Sequence, residues 1–144
     1  MAFSAHAADT AIVSVGATVL SKNNCKFQGS TALALAFGNI DPSSASPATA
    51  STGISFKCGG SSPTASYSIT HDSGLYETGV NANRMKHATL NEYLPYTFSL
   101  TPSSGTVAKN VSLAITVDGS IAPASFQDAS MGAYSDTIVV TVNP

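Results

Sequence analysis

The chain has 144 residues, 43% of them hydrophobic and only 10% charged, with a formal net charge of −2. That length fits one domain, since domains commonly run to roughly 100–150 residues. Six Lys plus Arg, scattered singly, offer no basic stripe to neutralise phosphates, which argues against nucleic acid as a partner. The place of charged residues is taken by Ser, Thr, Ala, Gly and Asn, types that suit strands and turns better than solvated helices. No run approaches the ~20 apolar residues that a membrane-spanning helix needs.

Ala5-His6-Ala7 is an A-x-A pattern of the kind cut by signal peptidase. No positive n-region precedes it, because the first Lys is Lys22. Residues 1–9 are therefore read as a signal-peptide remnant or a mobile N-terminus.

Alternating segments follow, with period two. In residues 10–20, Ala11, Val13, Val15, Ala17 and Val19 share one face. Residues 33–37 form a short apolar run ending at Gly38. Ile54, Phe56 and Cys58 alternate with Ser55 and Lys57, which predicts a strand over 53–58. Tyr67 and Ile69 alternate with Ser and Thr. Leu94, Tyr96, Phe98 and Leu100 predict one strand, Val111 to Val117 another, and Ile138, Val140 and Val142 a last one over 136–142. Residues 43–52 read as an exposed low-complexity loop, and residues 82–90 have room for a helical turn. Pro42-Ser43-Ser44, Gly59 to Pro63, Pro102 to Gly105 and Ala122-Pro123 carry turn chemistry between the segments. About seven strands with such loops predict an all-β sandwich.

The two cysteines, Cys25 and Cys58, stand in no zinc-ligand spacing. A single disulfide is their simplest use, joining the first strand region to the strand over 53–58. It would close a loop of roughly 34 residues, for which chain entropy gives about 3.8 kcal/mol. Two unpaired thiols in a cytosolic chain are the alternative.

Catalytic patterns are missing. His71-Asp72-Ser73 has the residue types of a triad, but neighbours on a strand point to opposite faces and do not converge. Glu77, Glu92, Asp118, Asp128 and Asp136 are isolated in sequence. No G-x-S-x-G and no Gly-rich phosphate loop is present, so no enzyme activity, metal or cofactor is expected. Asn110-Val111-Ser112 has the form of a glycosylation acceptor but reads as a plain strand start. A sugar site built on Tyr76, Tyr93 and Tyr134 remains open.

Several motifs in order then carry a resemblance. They are Cys25-Lys26-Phe27, Leu35-Ala36-Phe37-Gly38-Asn39-Ile40-Asp41-Pro42, and Ala50 through Cys58. Arg84-Met85, Leu90, Leu94-Pro95-Tyr96-Thr97-Phe98 and Gly132-Ala133-Tyr134-Ser135-Asp136-Thr137 follow. From Thr10 onward the chain resembles the spore coat protein U domain, the fold of subunits in archaic chaperone–usher pili. It departs from that pattern in a short 101–110 segment without Trp-Gly and in ending at Pro144, which blurs the subunit type.

The resemblance implies an incomplete immunoglobulin-like β-sandwich over residues 21–144, completed by donor-strand exchange, with residues 10–20 as the donor strand. Ala11, Val13, Val15, Ala17 and Val19 would be its knobs, and Ile138, Val140 and Val142 would border the acceptor groove where a chaperone first pairs. The partners implied are copies of the chain itself, a periplasmic chaperone and an outer-membrane usher. The implied role is a shaft-type or adaptor subunit of a surface pilus, exported through the periplasm for attachment and biofilm formation. A secreted coat or matrix protein of the same fold, and a carbohydrate-binding adhesin module, are the other readings.

Overall fold

A computed structural model describes residues 8–19 and 22–144. The expectations for residues 1–7 and for Leu20 lie outside the described residues.

Among the described residues, ten strands and one short helix follow in chain order: β1 (Asn23–Gln28), β2 (Ala48–Gly60), β3 (Thr64–His71), β4 (Arg84–His87), β5 (Tyr93–Pro95), β6 (Thr97–Thr101), β7 (Ser104–Ala108), β8 (Ser112–Ile121), α1 (Pro123–Phe126), β9 (Tyr134–Ser135) and β10 (Val140–Asn143). They form three antiparallel sheets, ordered β1-β2-β8-β6, β10-β3-β7 and β5-β4-β9.

The first two sheets pack face to face because each long strand has one apolar face. β2 turns Phe56 and Cys58 inward, β8 turns Ile115 and Val117, and β3 turns Ala65, Tyr67 and Ile69. In the register of β2 with β8, Ile54 faces Ile115 and Phe56 faces Leu113, the close cross-strand pairs that stabilise a sheet. Phe56 and Tyr67 meet edge-on between the sheets, centroids 4.8 Å apart. Cys25 lies opposite Cys58 in the β1–β2 register, and the two are joined as a disulfide.

A second cluster of Leu94, Ile121 and Phe126 closes one end of the molecule, with Phe37, Ile40, Met85 and Tyr134 packed against it. Leu94 comes from β5 of the third sheet, Ile121 from the end of β8, and Phe126 from α1, a single turn with Pro at its start, where the fixed φ of proline suits a first helical position.

The structure corrects several expectations. Residues 82–90 hold no helical turn: β4 occupies 84–87, pairing with β5 and β9. Residues 48–52 are not loop but the first part of β2, with Ala48 opposite Ile121 and Thr52 opposite Val117. Small residues hid that alternation, and the partner strand imposes it. The stretch from Leu94 to Leu100 is two strands in different sheets, because the Tyr96 amide leaves the ladder to donate to the Asn83 carbonyl at 3.1 Å. The last strand is paired with β3 only from Val140 onward.

Candidate functional site

A groove opens between the chain that follows β1 and the chain that leads into β10, over β8 and the β5–β6 stretch. One wall is the chain that follows β1. Residues 33–40 run without regular pairing, and none of them makes a hydrogen bond among the described residues. Leu35 and Phe37 are half-buried while Ala34, Ala36 and Gly38 face outward, the alternation of a strand without a strand partner. These two side chains lie on β8 at Gly119. A Cβ there would stand 2.7 Å from Leu35 Cδ2 and 2.8 Å from Phe37 Cζ, so only glycine lets the wall come this close.

The opposite wall is residues 134–140. Its shape is fixed by two carboxylates. Asp136 accepts the Leu75 amide at 2.8 Å on Oδ1 and the Tyr96 hydroxyl at 2.6 Å on Oδ2. Asp72 Oδ1 accepts the Val139 amide at 3.0 Å, while the Asp72 amide donates to the Val139 carbonyl at 3.1 Å. Burial and the adjacent Asp136 carboxylate push the Tyr96 hydroxyl well above the ordinary phenol range, so it stays a donor. Ile138, between these anchors, has neither its N–H nor its C=O partnered among the described residues.

Two adjoining cavities of about 830 Å³ and 430 Å³ lie between the walls and share Leu35, Phe37, Met85 and Tyr134. Leu94, Ile121 and Phe126 floor the larger, and Phe98 and Val117 the smaller. The rim of the larger cavity is held by His87. Its Nδ1 accepts the Thr89 and Leu90 amides, leaving Nε2–H to donate to the Met131 carbonyl at 2.8 Å. Gly132 passes so close that a Cβ would lie 2.3 Å from His87 Nε2.

Of the expected acceptor residues, Ile138 and Val140 line the smaller cavity. Val142 does not: it pairs opposite Ile69 and packs on the main core. The proposed donor residues Ala11, Val13, Val15, Ala17 and Val19 all stand in solvent. Val13 is 81% exposed, Val15 92% and Val19 86%, and Ile12 on the other face is 97% exposed. Residues 8–19 pair with no strand, and among the described residues their hydrogen bond is a local one, Thr10 N–H to Asp9.

Sequence reasoning gave no role to Gly119, His87, Asp72 or Tyr96. Tyr96 and Asp136 stood in recognisable motifs, but their mutual bond spans 40 residues and leaves no local signal. His71, Asp72 and Ser73 form no triad: His71 Nδ1 contacts the Asp72 carbonyl, Asp72 holds Val139, and Ser73 Oγ accepts the Asn81 amide. Tyr134 goes to the groove, its ring edge-on to His87, whereas Tyr76 and Tyr93 come together elsewhere, 6.1 Å apart. Among the described residues no cluster of ligating side chains is suited to a metal, and no helix is long and apolar enough to cross a membrane.

The family profile described as Spore Coat Protein U domain matches residues 9–141, from ahead of the exposed segment into the last strand. The chain belongs to the spore coat protein U domain family. In this chain the domain is an all-β antiparallel sandwich. Two solved structures share the fold. One is the CsuC–CsuE chaperone–tip adhesion subunit pre-assembly complex from the archaic chaperone–usher Csu pili of Acinetobacter baumannii. There the TM-score is 0.56 at 18% identity, covering 83% of this spore coat protein U chain and 39% of the other. The second is a chaperone–tip adhesin complex described as vital for synergistic activation of CFA/I fimbriae biogenesis, with TM-score 0.51, 15% identity and coverage of 84% and 41%. The chain thus spans about two fifths of the length of these structural neighbours. No curated protein sequence matches it.

Proposed function

We propose that this spore coat protein U domain is a structural subunit of an archaic chaperone–usher surface pilus and polymerises by donor-strand complementation. Residues 10–20 of one copy enter the groove between residues 33–40 and 134–140 of the next. The observation that carries this reading is a mismatch within one chain. It has an apolar groove with unpaired backbone on both walls, and it has an apolar N-terminal segment in solvent that could fill such a groove. A strand laid between the walls would take up idle donors and acceptors on both sides and cover Leu35, Phe37 and Ile138. Backbone pairing supplies affinity, and alternate side chains supply register.

Before polymerisation the groove needs a temporary cover. A periplasmic chaperone fills that role in this account, an outer-membrane usher exports the subunit, and the product is an extracellular fibre serving attachment and biofilm formation. Kinship with pilus subunits of the same fold supports these partners.

The test is expression of the full chain in a bacterial host, with and without its chaperone and usher. Surface material run on an SDS gel without boiling should give a ladder of multimers that collapses on heating, only when both helpers are present. A ladder that forms equally well without them would instead favour a coat or matrix protein that assembles unaided.

A further inference from the structure

The outer face of the β5-β4-β9 sheet carries a cluster the groove does not use. Alternation along β4 sends Met85 toward the second core and buries His87, which turns Arg84 and Lys86 outward. Tyr93, opposite Lys86 in the β4–β5 register, shares that face. The loop before β4 adds Tyr76. The Arg84 guanidinium stacks 3.8 Å from the Tyr93 ring centroid, and its Nε–H donates to the Tyr76 carbonyl at 2.7 Å. Lys86 Nζ stands 5.8 Å from the Tyr76 ring, and the two rings are tilted by 53°. Aromatic faces and cations alternate across one half-buried patch.

The charges on this face are unanswered. Neither Arg84 nor Lys86 has a carboxylate partner among the described residues. Glu92 neighbours Tyr93 in sequence but acts on Tyr134, on the other side of the sheet. Glu77, beside Tyr76, is exposed and pairs with neither cation. Two of the six cationic side chains of a net-negative chain are thus gathered at one spot. A purely structural stack would explain Arg84 Nε, which ties down the loop. It does not account for the unused Arg84 Nη donors beside a second cation, Lys86.

We propose that this face binds an acidic saccharide. The C–H face of the sugar lies on Tyr76 and Tyr93, and its carboxylate takes the Arg84 Nη donors and the Lys86 ammonium. A planar guanidinium held by stacking is already oriented for a two-pronged contact with a carboxylate. Tyrosine rings offer a rigid apolar surface with little entropy to lose on binding. The site is independent of polymerisation.

The experiment measures binding of the purified full chain to three polymers. Polygalacturonate supplies ring and carboxylate, its methyl ester supplies the ring without charge, and polyacrylate supplies carboxylates without a ring. Polygalacturonate should bind at least about tenfold more tightly than either of the others, a difference well above measurement scatter. Lys86→Gln and Arg84→Gln should each weaken it by about tenfold, the usual scale for losing a charge-assisted contact. Tyr76→Leu, which keeps the backbone carbonyl that holds Arg84 Nε, should weaken it while leaving polyacrylate unchanged. Lys86→Gln leaves the loop contact of Arg84 intact, so an unaltered melting temperature separates lost binding from lost fold. Equal binding of polyacrylate would overturn the proposal, as would no binding at all or variants that bind like the parent. A Lys86→Gln chain that binds normally but no longer polymerises would also overturn it, and would make the patch a contact between copies.

Discussion

The Tyr96 hydroxyl donates to Asp136 Oδ2 across 2.6 Å, joining the β5–β6 junction to the wall of the groove. The same carboxylate holds the Leu75 amide, so one side chain fixes three separate stretches of chain. This arrangement holds residues 136–139 at the groove although, among the described residues, no strand pairs with them.

Tyr96→Phe should therefore destabilise the domain by about 1.5–3 kcal/mol, the usual worth of a hydrogen bond to a charged group. Alkaline titration adds a second readout. The folded state raises the Tyr96 pKa above its unfolded value, so the folded state holds this proton more tightly. The resulting stability is fully present below the unfolded phenol pKa, near 10, and is lost as pH rises above it. Urea midpoints should fall above about pH 10 in the parent and fall less steeply in Tyr96→Phe. Parallel curves for the two chains would contradict this role for Tyr96.

Cys25 and Cys58 lie opposite each other on β1 and β2, so reduction should loosen the strand that leads into the groove wall. A Cys25→Ala/Cys58→Ala chain should lose about 2–5 kcal/mol, the common cost for a small domain. Intact-mass measurement after alkylation without reduction should find no labelled thiol. Two labelled thiols would be at odds with the structure.

Gly119 has no side chain because Leu35 and Phe37 occupy its space. Gly119→Val should cost about 1–3 kcal/mol by overpacking and push the 33–40 wall outward. Limited proteolysis should cut residues 33–40 faster while hydrogen exchange of the β2–β8 ladder near Phe56 stays slow. A uniform change across both regions would mean that Gly119 serves the whole sheet.

Much of the sandwich was legible because β3 and β8 alternate strong apolar residues with Ser and Thr, and a period of two has one structural meaning. The early part of β2 was not, since Ala48, Ala50 and Thr52 differ little in polarity from Thr49 and Ser51. β4 was hidden because Met85 and His87 alternate with long cationic side chains, a pattern too short to separate from a helical turn. Of the groove, Ile138 and Val140 stood out by alternation only as part of a strand, and their place beside a groove came from the family resemblance. Its other wall was visible only as an apolar run, and the closeness of Gly119 to Leu35 arises from a contact between segments far apart in sequence. The same holds for Tyr76 with Tyr93, which only the pairing of β4 with β5 brings into one patch.

The central claim is that residues 10–20 complete a neighbouring copy in a defined register, with Ala11, Val13, Val15, Ala17 and Val19 facing its groove. The most direct measurement compares the heat-labile ladder and fibre yield of Val15→Asp with those of Ser14→Asp. Both residues are exposed in the single chain, so neither change should harm its own fold. In the fibre, Val15 would lose about 1.5–3 kcal/mol of burial and its replacement would bring an unpaired buried charge costing several kcal/mol more. Ser14 would face outward. The account predicts that Val15→Asp abolishes the ladder while Ser14→Asp retains it; equal polymerisation by the two variants would contradict it.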